Sequence, residues 1–349
     1  MIHARGNTFA TGAAVLCAAA LLSACSGEGG RADLGIADAG DAVASAEAAA
    51  IDKTFQDVVT EVLPSVVQIT TQDGLGSGVV YDDRGHIVTN AHVVGESDEV
   101  EILLATDRRP LPAEVVATYA PQDLAVVRLR ETPDDLDPAS FGDSSEVRVG
   151  QMVLAMGNPL GLDSSVTQGI VSAVGRSLSE GEGGTTLSNL VQTSAPINPG
   201  NSGGALVNLS GEVIGIPTIG AREPDGGGQA AGIGFAIPSA SVTSLADQMI
   251  ENGEVTDSGR AALGVTVRTV LGEGFRPVGA AVVSVVGGGP ADDAGLRPGD
   301  VIVAVADEQV TDVVSLAEAL ASQQPDDTVD VVWERDGSEE SAEATLDDA

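Results

Sequence analysis

Lysine is almost missing from this chain: Lys53 is the only one among 349 residues, and it follows Asp52 rather than a glycine. A phosphate-binding P-loop needs a Gly-Lys pair, so an ATP-driven motor of that type is excluded. Lysine and arginine together number 16 against 52 aspartates and glutamates, a formal net charge of −36. Nucleic acids and anionic membranes are held by clustered basic residues, and neither is an expected partner. Aromatic residues make up 2% of a chain that is 43% apolar, so any core must rest on Val, Ile, Leu and Ala. Cysteine occurs only at Cys17 and Cys25, which leaves a chain beginning at Cys25 without an internal disulfide. Histidine is nearly as scarce, and none follows His92. No metal and no cofactor is expected.

What is present begins with an address. Residues 1–24 join a short basic stretch around Arg5 to an apolar run from Ala13 to Leu22 and small residues before Cys25, the pattern of an export signal too short for a comfortable membrane span. Leu22-Ser23-Ala24-Cys25 resembles the bacterial lipobox, which makes Cys25 the expected lipidation site and lipid the expected anchor. Ser26 to Ala50 has almost no large apolar residue and reads as a flexible tether over 25–51. The expected location is the cell envelope.

From residue 52 the patterning changes twice. Phe55, Val58, Val59, Val62 and Leu63 recur at helical spacing up to Pro64. Short β-rich runs then follow in two sets: Val66–Thr70, Gly78–Tyr81, His86–Asn90, Val100–Leu104, Ala113–Thr118 and Leu124–Leu129, and afterwards Met152–Met156, Ser165–Val174, Leu190–Thr193, Ala205–Asn208, Val213–Pro217 and Gly232–Ala236. Two small six-stranded barrels are expected, closed by a helix over Pro238–Asn252 with Ser239 as its cap and Gly253 after it. The domain spans 52–253. A polar joint at 254–260 precedes a small α+β unit over 258–349, with strands at Leu263–Val270, Ala280–Val286, Val301–Val305 and Thr328–Glu334 and a helix at Asp312–Ser322.

One stretch carries chemistry on its face: Asn198-Pro199-Gly200-Asn201-Ser202-Gly203-Gly204, a serine among glycines. Serine is a weak nucleophile at neutral pH and needs a base within reach and N–H donors for the developing oxyanion. Gly200, Ser202 and Gly204 also fit the nucleophile elbow of α/β-hydrolases, but that fold places its histidine after the serine, which this chain cannot do. The subtilisin order needs an α/β fold, and residues 65–236 show no convincing amphipathic helix. The order that remains is His, Asp, Ser, that of the chymotrypsin-like double β-barrel. His86 leaves an Asp-Asp-Arg-Gly turn and is expected to be solvated, so the base is His92 in T-N-A-H-V-V. Asp123, between Pro121-Gln122 and the strand from Leu124, is the expected acid, whereas Asp134, Asp135 and Asp137 lie in an acidic loop.

T-N-A-H-V-V, Q-D-L-A-V-V, I-N-P-G-N-S-G-G-A-L and G-I-G-F-A-I-P resemble the HtrA/DegP family of exported, ATP-independent serine proteases. Ala262-Leu263-Gly264-Val265 and the run G-P-A-D-D-A-G-L-R-P-G-D-V-I from Gly289 resemble its PDZ domain. The resemblance implies a mostly β protein, a chymotrypsin-like protease domain followed by one PDZ domain. It implies Ser202 as nucleophile, His92 as base then acid, Asp123 as orienter, and the N–H groups of Gly200 and Ser202 as oxyanion hole. It further implies a specificity pocket around Ile197, Ile216, Thr218 and Ile233, regulatory loops at 177–188 and 221–231, and a carboxylate-binding loop at Leu263, Gly264 and Val265. Unfolded proteins and C-terminal peptides are the implied partners, and a homotrimer the implied assembly. A chaperone-like or peptide-binding protein with a mostly idle protease fold is the alternative. Thr193-Ser194-Ala195 departs from the T-D-A of many members.

Overall fold

A computed structural model of the chain describes residues 38–72, 74–107, 109–158, 165–179, 186–198, 200–222 and 229–349. The chain divides into two units, residues 1–50 and 51–349. The export signal, Cys25 and the first part of the tether lie outside the described residues.

Helix α1 covers Asp38–Val62 and so begins well before the expected Phe55. The reason is local: Ala42, Ala44, Ala46, Ala48, Ala49 and Ala50 supply the residue of highest helix propensity without any apolar periodicity to betray it. Among the described side chains of the helix, the buried ones lie toward its end. Val58 and Val62 are each 4% exposed, and burying such a valine contributes about 1.5–3 kcal/mol.

The first barrel is β1 (Val66–Thr70), β2 (Leu75–Val80), β3 (His86–Thr89), then the single turn α2 (Ala91–Val94), β4 (Glu99–Leu103), β5 (Leu111–Tyr119) and β6 (Leu124–Leu129). It closes in the order β1-β2-β3-β6-β5-β4. The second comprises β7 (Met152–Gly157), β8 (Ser165–Ser179), β9 (Thr186–Thr193), β10 (Ala205–Val207), β11 (Val213–Arg222) and β12 (Gln229–Pro238), closed as β10-β11-β12-β9-β8-β7. Successive side chains of a strand point to opposite faces. In β6, Ala125, Val127 and Leu129 accordingly fill the first barrel's own interior. Leu124 and Val126 face the other way, into a seam shared with Leu154, Met156 and Val207 of the second barrel and with α1. This double burial is why the strands read as continuous apolar runs rather than alternating ones.

Helix α3 (Ser239–Asn252) closes the seam with Val242, Leu245, Ala246 and Met249. Gly253 ends it in the left-handed conformation, φ 78°. Ser239 is not its cap: Pro238 holds that position, and the Ser239 hydroxyl donates to the Gly142 carbonyl at 2.6 Å.

The last part of the chain has its own core. Strands β13 (Ala261–Ala262), β14 (Val265–Leu271) and β15 (Pro277–Val285) lead to a short helix α4 (Pro290–Asp293), then β16 (Val301–Val305), β17 (Glu308–Gln309), helix α5 (Val313–Ala321), β18 (Thr328–Arg335), β19 (Ser338–Thr345) and β20 (Asp347–Asp348). The main sheet runs β14-β15-β16-β18-β19, with β14 at one edge. Asp312 caps α5 in a reciprocal box with Ser315. Trp333, the only tryptophan, is 3% exposed in this core. The Arg335 guanidinium stands 5.6 Å from its ring centroid.

Candidate active site

Ser202 sits in the turn between Asn198 and β10, and the glycines after it are required by contact. A Cβ on Gly203, whose φ is 79°, would lie 2.2 Å from the Ser77 carbonyl oxygen and 2.4 Å from the Thr89 hydroxyl. On Gly204 it would lie 2.1 Å from the Met156 carbonyl oxygen. The turn is therefore wedged between the two barrels and pinned to both. Ser77 N–H donates to the Ser202 carbonyl at 3.0 Å, and Gly203 N–H to that of Pro217 at 2.9 Å.

Loop residues on the opposite barrel bring the other two side chains. Asn90 precedes the turn α2, which carries His92. The short helical turn Ala120–Gln122 delivers Asp123 in the left-handed conformation, φ 51° and ψ 43°, which aspartate tolerates better than most residues. Asp123 is 8% exposed. Its carboxylate takes His92 Nδ1 at 2.8 Å and the His92 backbone N–H at 2.9 Å. The Thr218 hydroxyl donates to the same carboxylate. Asn90 Nδ2 holds the Asp123 carbonyl at 3.0 Å. With Nδ1 engaged by the carboxylate, the imidazole is fixed with Nε2 as the acceptor face. The ring itself is 47% exposed, beside a cleft of about 290 Å³ lined by His92, Thr118, Ala120 and Asp123 of the first barrel and Leu187 of the second.

Ser202 Oγ donates to the Thr218 carbonyl at 2.7 Å. Thr218 thus touches both ends of the constellation, its hydroxyl on Asp123 and its carbonyl on Ser202. The N–H groups of Gly200 and Ser202 take no acceptor among the described residues. Gly200 has φ 110°, and its carbonyl receives the Ser77 hydroxyl at 2.5 Å. Ser77 in turn accepts Asn158 N–H at 2.8 Å, so a buried hydroxyl of the first barrel ties the serine's loop to β7's end.

The four residues expected to line a specificity pocket separate. Ile233 is 38% exposed, Ile197 5%, Ile216 0% and Thr218 1%. Ile216 belongs to the inter-barrel core, and the Thr218 side chain is engaged by Asp123. Ile197 packs where a Cβ on Gly234 would stand 2.4 Å from its Cγ1. Ser194, at the departure from T-D-A, accepts Ile170 N–H at 3.0 Å. Parts of both expected regulatory loops lie outside the described residues.

His86 corrects its expectation of a solvated ring. It is 6% exposed, with Nδ1 2.8 Å from Asp82. Burial works to raise the Asp82 pKa, but hydrogen bonds from the His86 ring and backbone and from Arg84 outweigh it and hold the carboxyl below its ordinary value. His86 opens β3, where it ties the strand to the turn at Asp82. In the C-terminal unit, Gly264 has φ 71°. The Leu263 and Gly264 carbonyls accept Ala291 and Val286 N–H at 3.0 and 2.9 Å, while the N–H groups of Leu263 and Gly264 take no acceptor among the described residues.

Ser77, Asn90 and the hydroxyl of Thr218 were not assigned these roles from sequence. Asn90 stood inside T-N-A-H-V-V, and its adjacency to His92 was the available signal; nothing local marks Ser77.

Residues 76–216 match the trypsin-like peptidase domain family and residues 261–346 the PDZ domain family. The serine protease Do-like HtrA of Lactobacillus helveticus is 40% identical over 288 residues, 78% of this chain and 68% of that protein. The periplasmic pH-dependent serine endoprotease DegQ of Escherichia coli is 37% identical over 279 residues, 79% of this chain and 60% of its own length. Among solved structures, the HtrA-type protease AlgW with a tripeptide superposes with a TM-score of 0.61 at 34% identity, covering 84% of this chain and 96% of that one.

Proposed function

Because the chain belongs to the HtrA/DegP family of serine proteases, we propose that it is an exported, ATP-independent serine endopeptidase that cleaves unfolded or damaged proteins of the cell envelope. The observation that carries the reading is the buried Asp123 holding His92 Nδ1 at 2.8 Å, across the barrel seam from a glycine-bounded serine with two open N–H groups.

The proposed chemistry follows from these contacts. Ser202 Oγ turns from the Thr218 carbonyl to His92 Nε2 and gives up its proton as it bonds to the substrate carbonyl carbon. The displaced electron pair becomes an oxyanion facing the N–H groups of Gly200 and Ser202, and loss of one such donor typically costs about 10²–10³ in kcat. His92, now positively charged, passes the proton to the leaving amine; Asp123 stays ionised and stabilises it. Water then repeats the sequence on the acyl-enzyme. The names of relatives as proteases support this over the idle-fold alternative.

The finer parts of the proposal have their own supports. The C-terminal unit takes the free carboxylate of a peptide at Leu263–Val265 and pairs it along β14, because β14 is a sheet edge and backbone N–H groups beside Gly264 can converge on an anion. Cys25 is acylated and tethers the protein to a membrane; no described helix is long and apolar enough to cross one. The assembly is a homotrimer, as the family resemblance implies.

The test is casein hydrolysis, together with fluorophosphonate labelling, by the chain lacking residues 1–24. Ser202→Ala and His92→Ala should each abolish both with the fold intact, whereas labelling that survives Ser202→Ala moves the nucleophile elsewhere.

A further inference from the structure

The hairpin between β14 and β15 ends in an apolar tip that cleavage does not use. Phe275, one of five phenylalanines, is 87% exposed there, with Leu271 at 55% and Val278 at 47%. Gly274 and Phe275 are left-handed in succession, φ 72° and 58°. Glycine adopts this freely; a bulky aromatic residue does not, and asparagine or glycine would turn the chain with less strain. A strained, solvent-facing ring kept in so aromatic-poor a chain points to a contact made by that ring.

Its position says with what. Val265 and Val267 of β14 pack on the unit's core. Two residues on, the Thr269 hydroxyl accepts Val313 N–H at 3.3 Å, at the start of α5. Alternation puts Leu271 next on that face. The irregularity there pairs Val270 with Gly279 and Leu271 with Pro277, so the extra residue is Val278 on β15, and β14 itself runs on unbroken. A peptide with its carboxylate at Leu263–Val265, added antiparallel to the edge of β14, travels from Val265 toward Leu271. At about 3.4 Å per residue, the side chain about six positions before its end comes abreast of Leu271 and the tip.

We infer that Leu271, Phe275 and Val278 form a second recognition subsite for that same peptide, taking an apolar side chain about six residues upstream of the free carboxylate. The occupant is thereby an extended, unfolded C-terminal segment rather than a short tail. A folded partner would not present residues so far apart along one extended strand. An anionic bilayer is disfavoured by the net charge of −36. The inference rests on the carboxylate-loop reading given above.

The experiment is a fluorescence-anisotropy titration of the full chain carrying Ser202→Ala, to prevent cleavage. Three labelled peptides share one aliphatic C-terminus: a tetrapeptide, a decapeptide with Leu six positions upstream, and the same decapeptide with Ser there. The Leu decapeptide should bind about tenfold tighter than the Ser one. Phe275→Gly, which keeps the left-handed backbone and relieves its strain, should erase that difference and leave the tetrapeptide unchanged. Leu271→Ser should act alike. Absent binding of the tetrapeptide, or equal binding when it is amidated, sinks the carboxylate reading and this subsite with it. Tetrapeptide binding with equal affinity for the two decapeptides sinks the subsite alone, as does equal weakening of all three peptides by Phe275→Gly. Sedimentation with phosphatidylglycerol–phosphatidylethanolamine vesicles that Phe275→Gly abolishes would assign the tip to lipid instead.

Discussion

Ser77 connects one barrel's interior to the other's chemistry through a single hydroxyl, donating to Gly200 and accepting from Asn158. In Ser77→Ala both partners are left buried and unsatisfied, a cost of about 1–3 kcal/mol. The loop bearing the Gly200 N–H should loosen, so kcat should fall about tenfold with KM little changed, because the lost bond orients an oxyanion donor and does not touch bound substrate. Steady-state kinetics on a fluorogenic peptide checks this; a rise in KM at constant kcat would place Ser77 in substrate binding. Thr218→Val removes the hydroxyl from Asp123 while keeping the carbonyl that meets Ser202, and should likewise act on kcat. The triad candidates were legible in the sequence because scarcity and order left few choices: two histidines beyond the expected export signal, one serine between glycines, one aspartate at a strand's start. Their supports were not legible, since a hydroxyl's partner is set by residues far away in the chain, as 123 positions separate Ser77 from Gly200. His86 was misread for the same reason: the turn composition was visible, but its packing under the barrel was not.

Elements were legible in proportion to how much apolar surface they bury. The twelve barrel strands stood out, although β8 and β9 reach further than their apolar runs suggest, to Ser179 and from Thr186. The strand β19 was missed: Ser338–Thr345 carries Glu339, Glu340 and Glu343 and buries only Ala344, as an edge strand that repels further pairing does. Its neighbour β18 holds a stronger device. Arg335 grips Asp300 through two bonds of 2.7 and 2.6 Å and adds the Gly295 carbonyl at 2.8 Å. Asp300 is 2% exposed, so Arg335→Ala leaves its carboxylate with the Arg297 backbone N–H alone and should destabilise the unit. Hydrogen bonding from Arg335 is the main reason the Asp300 pKa is lowered, and the Arg297 backbone N–H, donating to the same carboxylate at 2.6 Å, adds to it. A lowered carboxyl contributes stability that is present above its unfolded pKa of about 3.9 and lost as pH falls through the folded value. Asp300→Asn should therefore be less stable than the parent at neutral pH, with the gap closing below about pH 4. Urea titrations followed by circular dichroism at a series of pH values would show it, and a gap that persists in acid would contradict the assignment.

Across the whole molecule the C-terminal unit meets the barrels where α5 packs against β8 and β9, and polar contacts add to that junction. Arg260 Nη1 reaches the Pro121 carbonyl at 3.4 Å, Tyr119 donates to the Ala349 carbonyl at 2.9 Å, and Arg176 lies 3.8 Å from Glu318 of α5. One of these contacts falls on the turn that delivers Asp123 and another on Tyr119, the residue before it. Arg260→Ala should accordingly lower kcat modestly without altering labelling specificity, measured as the rate of fluorophosphonate labelling; an unchanged rate would mean that the turn holds itself. The charge of −36 is also a property of this scale. Self-repulsion is screened as the Debye length shrinks from about 10 Å at 0.1 M salt to about 3 Å at 1 M, so the melting temperature should climb with sodium chloride over that range. A flat response would show that the acidic surface is already neutralised by its own pairing. Trp333 has a consequence for every such experiment. As the only indole in the protein, and one lodged in the core of the C-terminal unit, it makes long-wavelength intrinsic emission a clock for that unit alone. A fluorescence melt of the intact chain times residues 258–349 and is blind to the two barrels in which Ser202 and His92 reside.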